Sequence, residues 1–205
     1  MKDMGKHFDD TTNLLEKGIA FEFGEGIKQD YNMAFECYKK AALGNDGVGF
    51  LFCGRMFEDG HGVERNYEKA VMCYQKAIEL NCIAGWVCLG LMFLYGKGVK
   101  RDYEKSCGCF TKAIEQKDYD GYLWLGHMYE NGLHLEENIY KAAVCYEKAA
   151  FYGNQHAQAQ IGLMYEAGIG VEPNLEKAIQ WYVLAAKQKN KVAIFRLTAL
   201  FQKGY

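Results

Sequence analysis

The chain has 205 residues, 50% of them apolar and 24% charged, with 24 Lys and Arg against 26 Asp and Glu for a formal net charge of −2. Lysines and glutamates are interspersed rather than blocked, which excludes the basic footprint that nucleic acid or an anionic membrane surface requires. No stretch approaches a membrane span and no apolar export segment follows the first charges, so the 8 cysteines are expected as reduced thiols in the cytoplasm; the single Pro points to helices.

Taken in chain order, the sequence repeats. Residues 24–41 read GEGIKQDYNMAFECYKKA, and the pattern returns as GHGVERNYEKAVMCYQKA (60–77), GKGVKRDYEKSCGCFTKA (96–113), GLHLEENIYKAAVCYEKA (132–149) and GIGVEPNLEKAIQWYVLA (168–185). The starting positions differ by 36 each time, with no insertion. The half before each copy repeats as well, on a fixed glycine at positions 54, 90, 126 and 162, with Gly18 one period earlier. The spacing predicts one domain over 1–205, made of five units at about 10–45, 46–81, 82–117, 118–153 and 154–189, then a half-unit, 190–205.

Each unit is expected to be a helix A, a Gly-x-Gly turn and a helix B, because both halves carry apolar residues at i, i+3, i+4 and i+7. In helix A a small residue stands five before the fixed glycine (Gly49, Gly85, Gly121, Ala157). A methionine stands two after it (Met56, Met92, Met128, Met164) and an aromatic three after (Phe57, Phe93, Tyr129, Tyr165), all on one face. The turn glycines would end helix A in a left-handed cap. Asp30, Asn66, Asp102, Asn138 and Asn174 occupy one register as N-caps of helix B, and Glu68, Glu104 and Glu176 follow in the first turn. Ala70, Ala142 and Ala178, then Tyr74, Tyr146 and Tyr182, then Ala77, Ala149 and Ala185 make the buried stripe of helix B. Gly44-Asn45, Asn81, Gly153-Asn154 and Asn190 are expected to stop the B helices.

Three departures carry expectations. In the fourth unit His134 and Leu135 replace the second turn glycine and its valine, so this turn is expected to differ from its siblings. Gly108, beside Ser106, should weaken its B helix by about 1 kcal/mol. The half-unit fits helix A in register through Ala193, Leu197, Leu200 and Phe201 and should cap the last pair; its apolar character points to a lost unit or to packing on something else.

The candidate chemistry dissolves into this pattern. The Gly-x-Gly turns have the spacing of no phosphate loop. Cys37, Cys73, Cys109 and Cys145 recur 36 apart, in the slot that Trp181 fills in the fifth unit. Equivalent positions in stacked helices lie about 8–10 Å apart, beyond the roughly 7 Å that a disulfide spans. His7, His61, His127, His134 and His156 form no metal-ligand spacing, and no nucleophile with an orienting partner can be placed beside His127. No cofactor, metal or catalytic residue is expected.

A 36-residue hairpin of the form Leu-Gly-x-Met-Tyr-x₂-Gly-x-Gly-Val, then Asx-Tyr-x-Lys-Ala and Tyr-x-Lys-Ala, resembles the Sel-one-like repeat (SLR) family, relatives of the tetratricopeptide repeat; the fifth unit matches it almost residue for residue. The resemblance implies an all-α fold, a right-handed α-solenoid of five helix-turn-helix repeats plus a C-terminal half-repeat helix. It also implies a non-enzymatic adaptor or scaffold that binds a protein or peptide partner in a concave groove lined by the A helices. An immunity or inhibitor protein that neutralises a cognate toxin is the narrower alternative. Weak β-lactam hydrolysis, attributed to some secreted relatives, is disfavoured here because no Ser-x-x-Lys occurs. The regular Cys pairs of secreted relatives are also missing, since Cys53, Cys82, Cys88 and Cys107 share no register.

The wheel positions opposite the packed stripe name the groove. They are Leu51, Arg55, Glu58 and Asp59 in the second unit; Val87, Leu91, Leu94 and Tyr95 in the third; Leu123, His127, Glu130 and Asn131 in the fourth; and Ala159, Leu163, Glu166 and Ala167 in the fifth. An apolar centre with a charged rim is the anatomy of a protein-binding patch. Leu91, Leu94 and Tyr95 stand out, because Leu94 and Tyr95 replace sibling acids and amides.

Overall fold

The computed structural model describes residues 4–202 and 204, with side chains from residue 13 onward. Among them there are helices and turns and no strand, which places the chain in the α-solenoid class. Helices α1 (Met4–Phe23), α3 (Gly47–Asp59), α5 (Ala84–Tyr95), α7 (Asp120–Glu130) and α9 (Gln155–Ala167) are the A helices, and α11 (Lys191–Gln202) is the half-repeat. The B helices are α2 (Tyr31–Leu43), α4 (Tyr67–Glu79), α6 (Tyr103–Glu115), α8 (Ile139–Phe151) and α10 (Leu175–Lys187). The chain forms two compact units, Met1–Ser106 and Cys107–Tyr205. In the first, α1 pairs with α2 and α3 with α4; in the second, α7 pairs with α8 and α9 with α10, and α11 packs on α10.

The caps follow the side chains. Asn66 Oδ1 accepts from Lys69 N at 2.9 Å, and Asp30, Asp102, Asn138 and Asn174 do the same for the amide three residues on. Each such cap is worth about 1 kcal/mol. The residues expected to stop the B helices divide in two. Asn45 (φ 63°), Asn81 (φ 61°) and Gly153 (φ 96°) take the left-handed conformation after α2, α4 and α8, and Lys117 and Lys189 take it after α6 and α10. Asn154 and Asn190 instead start the next A helix, accepting from Ala157 N at 2.9 Å and Ala193 N at 3.1 Å.

The turn glycines have positive φ, and the second one in the second, third and fifth units is also pressed against main chain, whereas Gly26 is open. A Cβ on Gly170 would lie 2.6 Å from the Ile139 carbonyl oxygen, at the start of the preceding B helix; Gly62 and Gly98 face the Tyr31 and Tyr67 carbonyls in the same way. The fourth turn does not depart as expected. His134 adopts φ 63°, close to the 67° of Gly62, Gly98 and Gly170. Asn138 N still closes the turn on Tyr129 O at 2.9 Å, as Asn66 N does on Phe57 O at 2.8 Å. What changes is that α7 stops one residue early, at Asn131 rather than at a glycine cap.

The core is a stack of rings on glycines. Tyr74, Tyr146 and Tyr182 lie flat against Gly54, Gly126 and Gly162, so closely that a Cβ on Gly162 would come within 2.5 Å of the Tyr182 ring. The methionines and the alanine stripe fill the layers between and are buried. Above each A-helix aromatic a B-helix lysine closes the layer: Lys69 over Phe57 at 5.5 Å, Lys141 over Tyr129 at 5.5 Å and Lys177 over Tyr165 at 5.0 Å. In α11 Ala193 and Leu200 are buried as expected, but Phe201 is 70% exposed. The aromatic register of an A helix is covered by its own B helix, and no B helix lies over Phe201 among the described residues.

Candidate functional site

The A-helix face is organised by a hydrogen bond that repeats with the period. Tyr74 Oη donates to Glu58 Oε2 at 2.8 Å, Tyr146 to Glu130 at 2.6 Å, Tyr182 to Glu166 at 2.6 Å and Tyr38 to Glu22 at 2.7 Å. The glutamate stands four after the fixed glycine on which the tyrosine ring lies, so one ring packs with its face and bonds with its tip. Burial pushes these phenols well above the usual tyrosine range, and the facing carboxylates add to the effect.

This arrangement corrects the placement of Leu94. It holds the glutamate register in the third repeat, Phe110 holds the tyrosine register, and the two side chains are 3% and 0% exposed. Leu94 belongs to the core and offers no surface to a partner. Tyr95, by contrast, is 53% exposed, with the Lys97 ammonium 5.9 Å from its ring. Leu51, Val87 and Leu91 are half-buried, and Arg55 lies exposed with its guanidinium over Phe52. These residues belong to the first unit, where Glu58 also accepts an ion pair from Lys97 at 2.9 Å.

The second unit carries a groove of about 440 Å³ between α7, α9 and α11. Five expected residues line it: Leu123, His127, Glu130, Ala159 and Leu163. The small Ala159 on α9 leaves the room, and Trp124 forms a wall, its ring edge-on to His127 at 6.0 Å. His127 Nδ1 is buried without a hydrogen-bond partner. Glu130 lies at the floor with Tyr146 beneath it, and Gln160 Nε2 reaches its other oxygen at 3.5 Å. Asn131 stands outside, exposed, its side-chain amide donating to His127 O. Glu166 is not in the groove; Tyr182 and Arg196 hold it, the latter at 3.3 Å.

Trp124, His156, Gln160, Asn190 and Val192 also line the groove, and the sequence pattern assigns none of them to it. A signal existed for Gln160 alone, which shares its register with Arg196 one period on. The rest depend on the way three A helices lean together.

Burial works against several of the thiols as nucleophiles, and no disulfide joins Cys37, Cys53, Cys73, Cys107, Cys109 or Cys145. Burial pushes the Cys73 and Cys109 thiols up to about 11 and the Cys53 thiol up to about 12, so they stay protonated at neutral pH. Among the described residues no three His, Cys, Asp or Glu side chains are grouped to hold a metal ion, and no helix is long and apolar enough to cross a membrane.

The Sel1 repeat pattern matches residues 18–46, 51–82, 89–118, 120–150 and 155–190. A Sel1 repeat protein from Oxalobacter formigenes is 31% identical over 95% of this chain and 79% of its own, with a TM-score of 0.82. A protective antigen of uropathogenic Escherichia coli with an SLR fold is 32% identical over 95% of this chain, with a TM-score of 0.71; the present chain spans 42% of its length. An immunity protein from Pseudomonas aeruginosa, 22% identical over 89% of this chain and 67% of its own with a TM-score of 0.68, shares the fold. No curated protein sequence matches the chain.

Proposed function

The chain belongs to the Sel1 repeat family, whose members are protein-interaction modules and are generally non-catalytic, and from that premise we propose that it holds a segment of a protein partner in the groove between α7, α9 and α11. The observation that carries this reading is the groove itself: apolar walls from Leu123, Trp124 and Leu163 around one half-buried carboxylate, on helices fixed by stacked rings below. A frame set by core packing is preorganised, so the ordering entropy of binding falls on the partner.

The test is affinity capture on the immobilised chain, comparing wild type with Val192→Lys and His156→Lys. Both residues line the groove and are exposed, and surface changes of this kind shift stability by about 0.5 kcal/mol or less. Loss of a specific partner with unchanged circular dichroism supports the groove; an unaltered set of partners overturns it. The narrower alternative, neutralisation of a cognate toxin, has the shared fold of the Pseudomonas aeruginosa immunity protein on its side. Rescue of growth on co-expression with a toxin distinguishes it.

A further inference from the structure

The groove contains a carboxylate for which the described residues supply no cation. Glu58, Glu130 and Glu166 occupy one register, and each accepts a hydrogen bond from the tyrosine beneath it. Two of them are then neutralised from the following repeat. Lys97 reaches Glu58 at 2.9 Å from 39 residues downstream, and Arg196 reaches Glu166 at 3.3 Å from 30 residues downstream. The same offsets from Glu130 fall on Ile169 and Gln160. Isoleucine brings no charge, and Gln160 brings only a neutral amide at 3.5 Å, the limit of a hydrogen bond. Among the described residues no Lys, Arg or His lies within ion-pair distance of Glu130. Glu22 also has no cation among the described residues, but it belongs to the first unit and is not among the residues that line this groove.

Where Glu58 and Glu166 are closed by their own chain, Glu130 is open among the described residues, and it is open at the groove. The surroundings narrow the chemistry further. A cation entering here passes Leu123 and Leu163 and meets the rings of Trp124 and His127. A planar guanidinium stacks on such rings while its N–H groups meet a carboxylate, whereas an ammonium is a compact, strongly hydrated charge.

We propose that the groove recognises an arginine on a protein segment, its guanidinium taking at Glu130 the place that Arg196 takes at Glu166, with an apolar neighbour of that arginine seated against Leu123 and Leu163. This rests on the groove being the partner site. It converts a general interaction surface into a selective one, because a segment without the cation leaves Glu130 desolvated beneath it.

The experiment selects phage-displayed random peptides on the wild-type chain, then measures one synthesised binder by titration calorimetry against four proteins: wild type, Glu130→Gln, Gln160→Arg and Val192→Lys. Selected sequences are expected to share an arginine next to an apolar residue. Replacing that arginine by citrulline, which keeps the shape and removes the charge, should weaken binding about tenfold or more. Glu130→Gln should cost as much with the arginine peptide and little with the citrulline peptide. Gln160→Arg, which supplies the cation from the register of Arg196, should also abolish the preference, with thermal unfolding at or above that of wild type. Binders that lack arginine or ignore Glu130→Gln, yet are lost on Val192→Lys, overturn the cation inference and leave the groove standing. If no binder responds to Val192→Lys, both readings fail.

Discussion

One chemical change, Gly→Ala within a helix, should have opposite signs at two positions of this chain. Gly108 lies within α6, and a Cβ there meets nothing within 4 Å. Removing a helical glycine reduces the entropy lost on folding, so Gly108→Ala should stabilise the protein by about 1 kcal/mol. Gly162 lies within α9, and its Cβ would fall 2.5, 2.7 and 3.2 Å from three atoms of the Tyr182 ring. Carbon atoms pack at about 3.5–4.0 Å, so the ring must move by about 1 Å. It is fully buried and its hydroxyl is tied to Glu166 at 2.6 Å, so it has nowhere to go. Overpacking of this kind costs about 3 kcal/mol; less the propensity gain, the net is about 2 kcal/mol of destabilisation. The two variants should therefore lie about 3 kcal/mol apart, which for a chain of this size is about 6–12 °C in melting temperature. Urea and thermal unfolding followed by helical circular dichroism would measure it. A Gly162→Ala protein as stable as Gly108→Ala would refute the ring-on-glycine account of the core.

Further outcomes follow from the tyrosine–glutamate rungs and the thiols. Tyr146→Phe should cost about 2 kcal/mol and Tyr74→Phe about 1 kcal/mol, because Glu58 keeps Lys97 while Glu130 keeps only Gln160; equal losses in denaturant unfolding would contradict this. Tyrosines raised in the folded state, Tyr165 up to about 12 and the rung phenols further, stay protonated when the unfolded chain has begun to lose those protons. Stability should thus be level up to about pH 10 and fall above it by about 1.4 kcal/mol per pH unit per tyrosine, checked by unfolding at stepped alkaline pH together with phenolate absorbance. With Ellman's reagent at neutral pH, Cys53 and Cys109 should react only after denaturant is added, since burial holds both thiols protonated; mass mapping of the labelled sites checks it.

What could be read in the sequence was what the period enforces locally. The Asx caps, the left-handed glycines, the methionine layer and the alanine stripe each depend on a few neighbouring residues, and all stand where the spacing places them. Phe201 and Leu94 show the limit. A wheel of one helix gives each a face but not its burial: Phe201 is exposed, with no B helix over it among the described residues, and Leu94 is buried where its siblings carry glutamate. The rungs were legible in principle, because the glutamate and tyrosine registers change together in that one repeat. Read as a charged rim, the glutamates concealed a structural role. The groove was half legible. Leu123, His127, Glu130, Ala159 and Leu163 come from a helical wheel, but the space between them is also bounded by residues of α11, and no wheel of a single helix contains that information.

The second turn glycine has a wider consequence. It seats main chain on main chain at three places, Gly62 on Tyr31, Gly98 on Tyr67 and Gly170 on Ile139, so the interval between those hairpins is gauged by atoms that every residue shares. Side chains on the outer surfaces take no part in that ruler. They can diverge freely without stretching or compressing the array, which is how a protein only 31% identical keeps a TM-score of 0.82 with this one. Selection acting on the grooves of such a scaffold is released from the usual penalty of disturbing the frame that presents them.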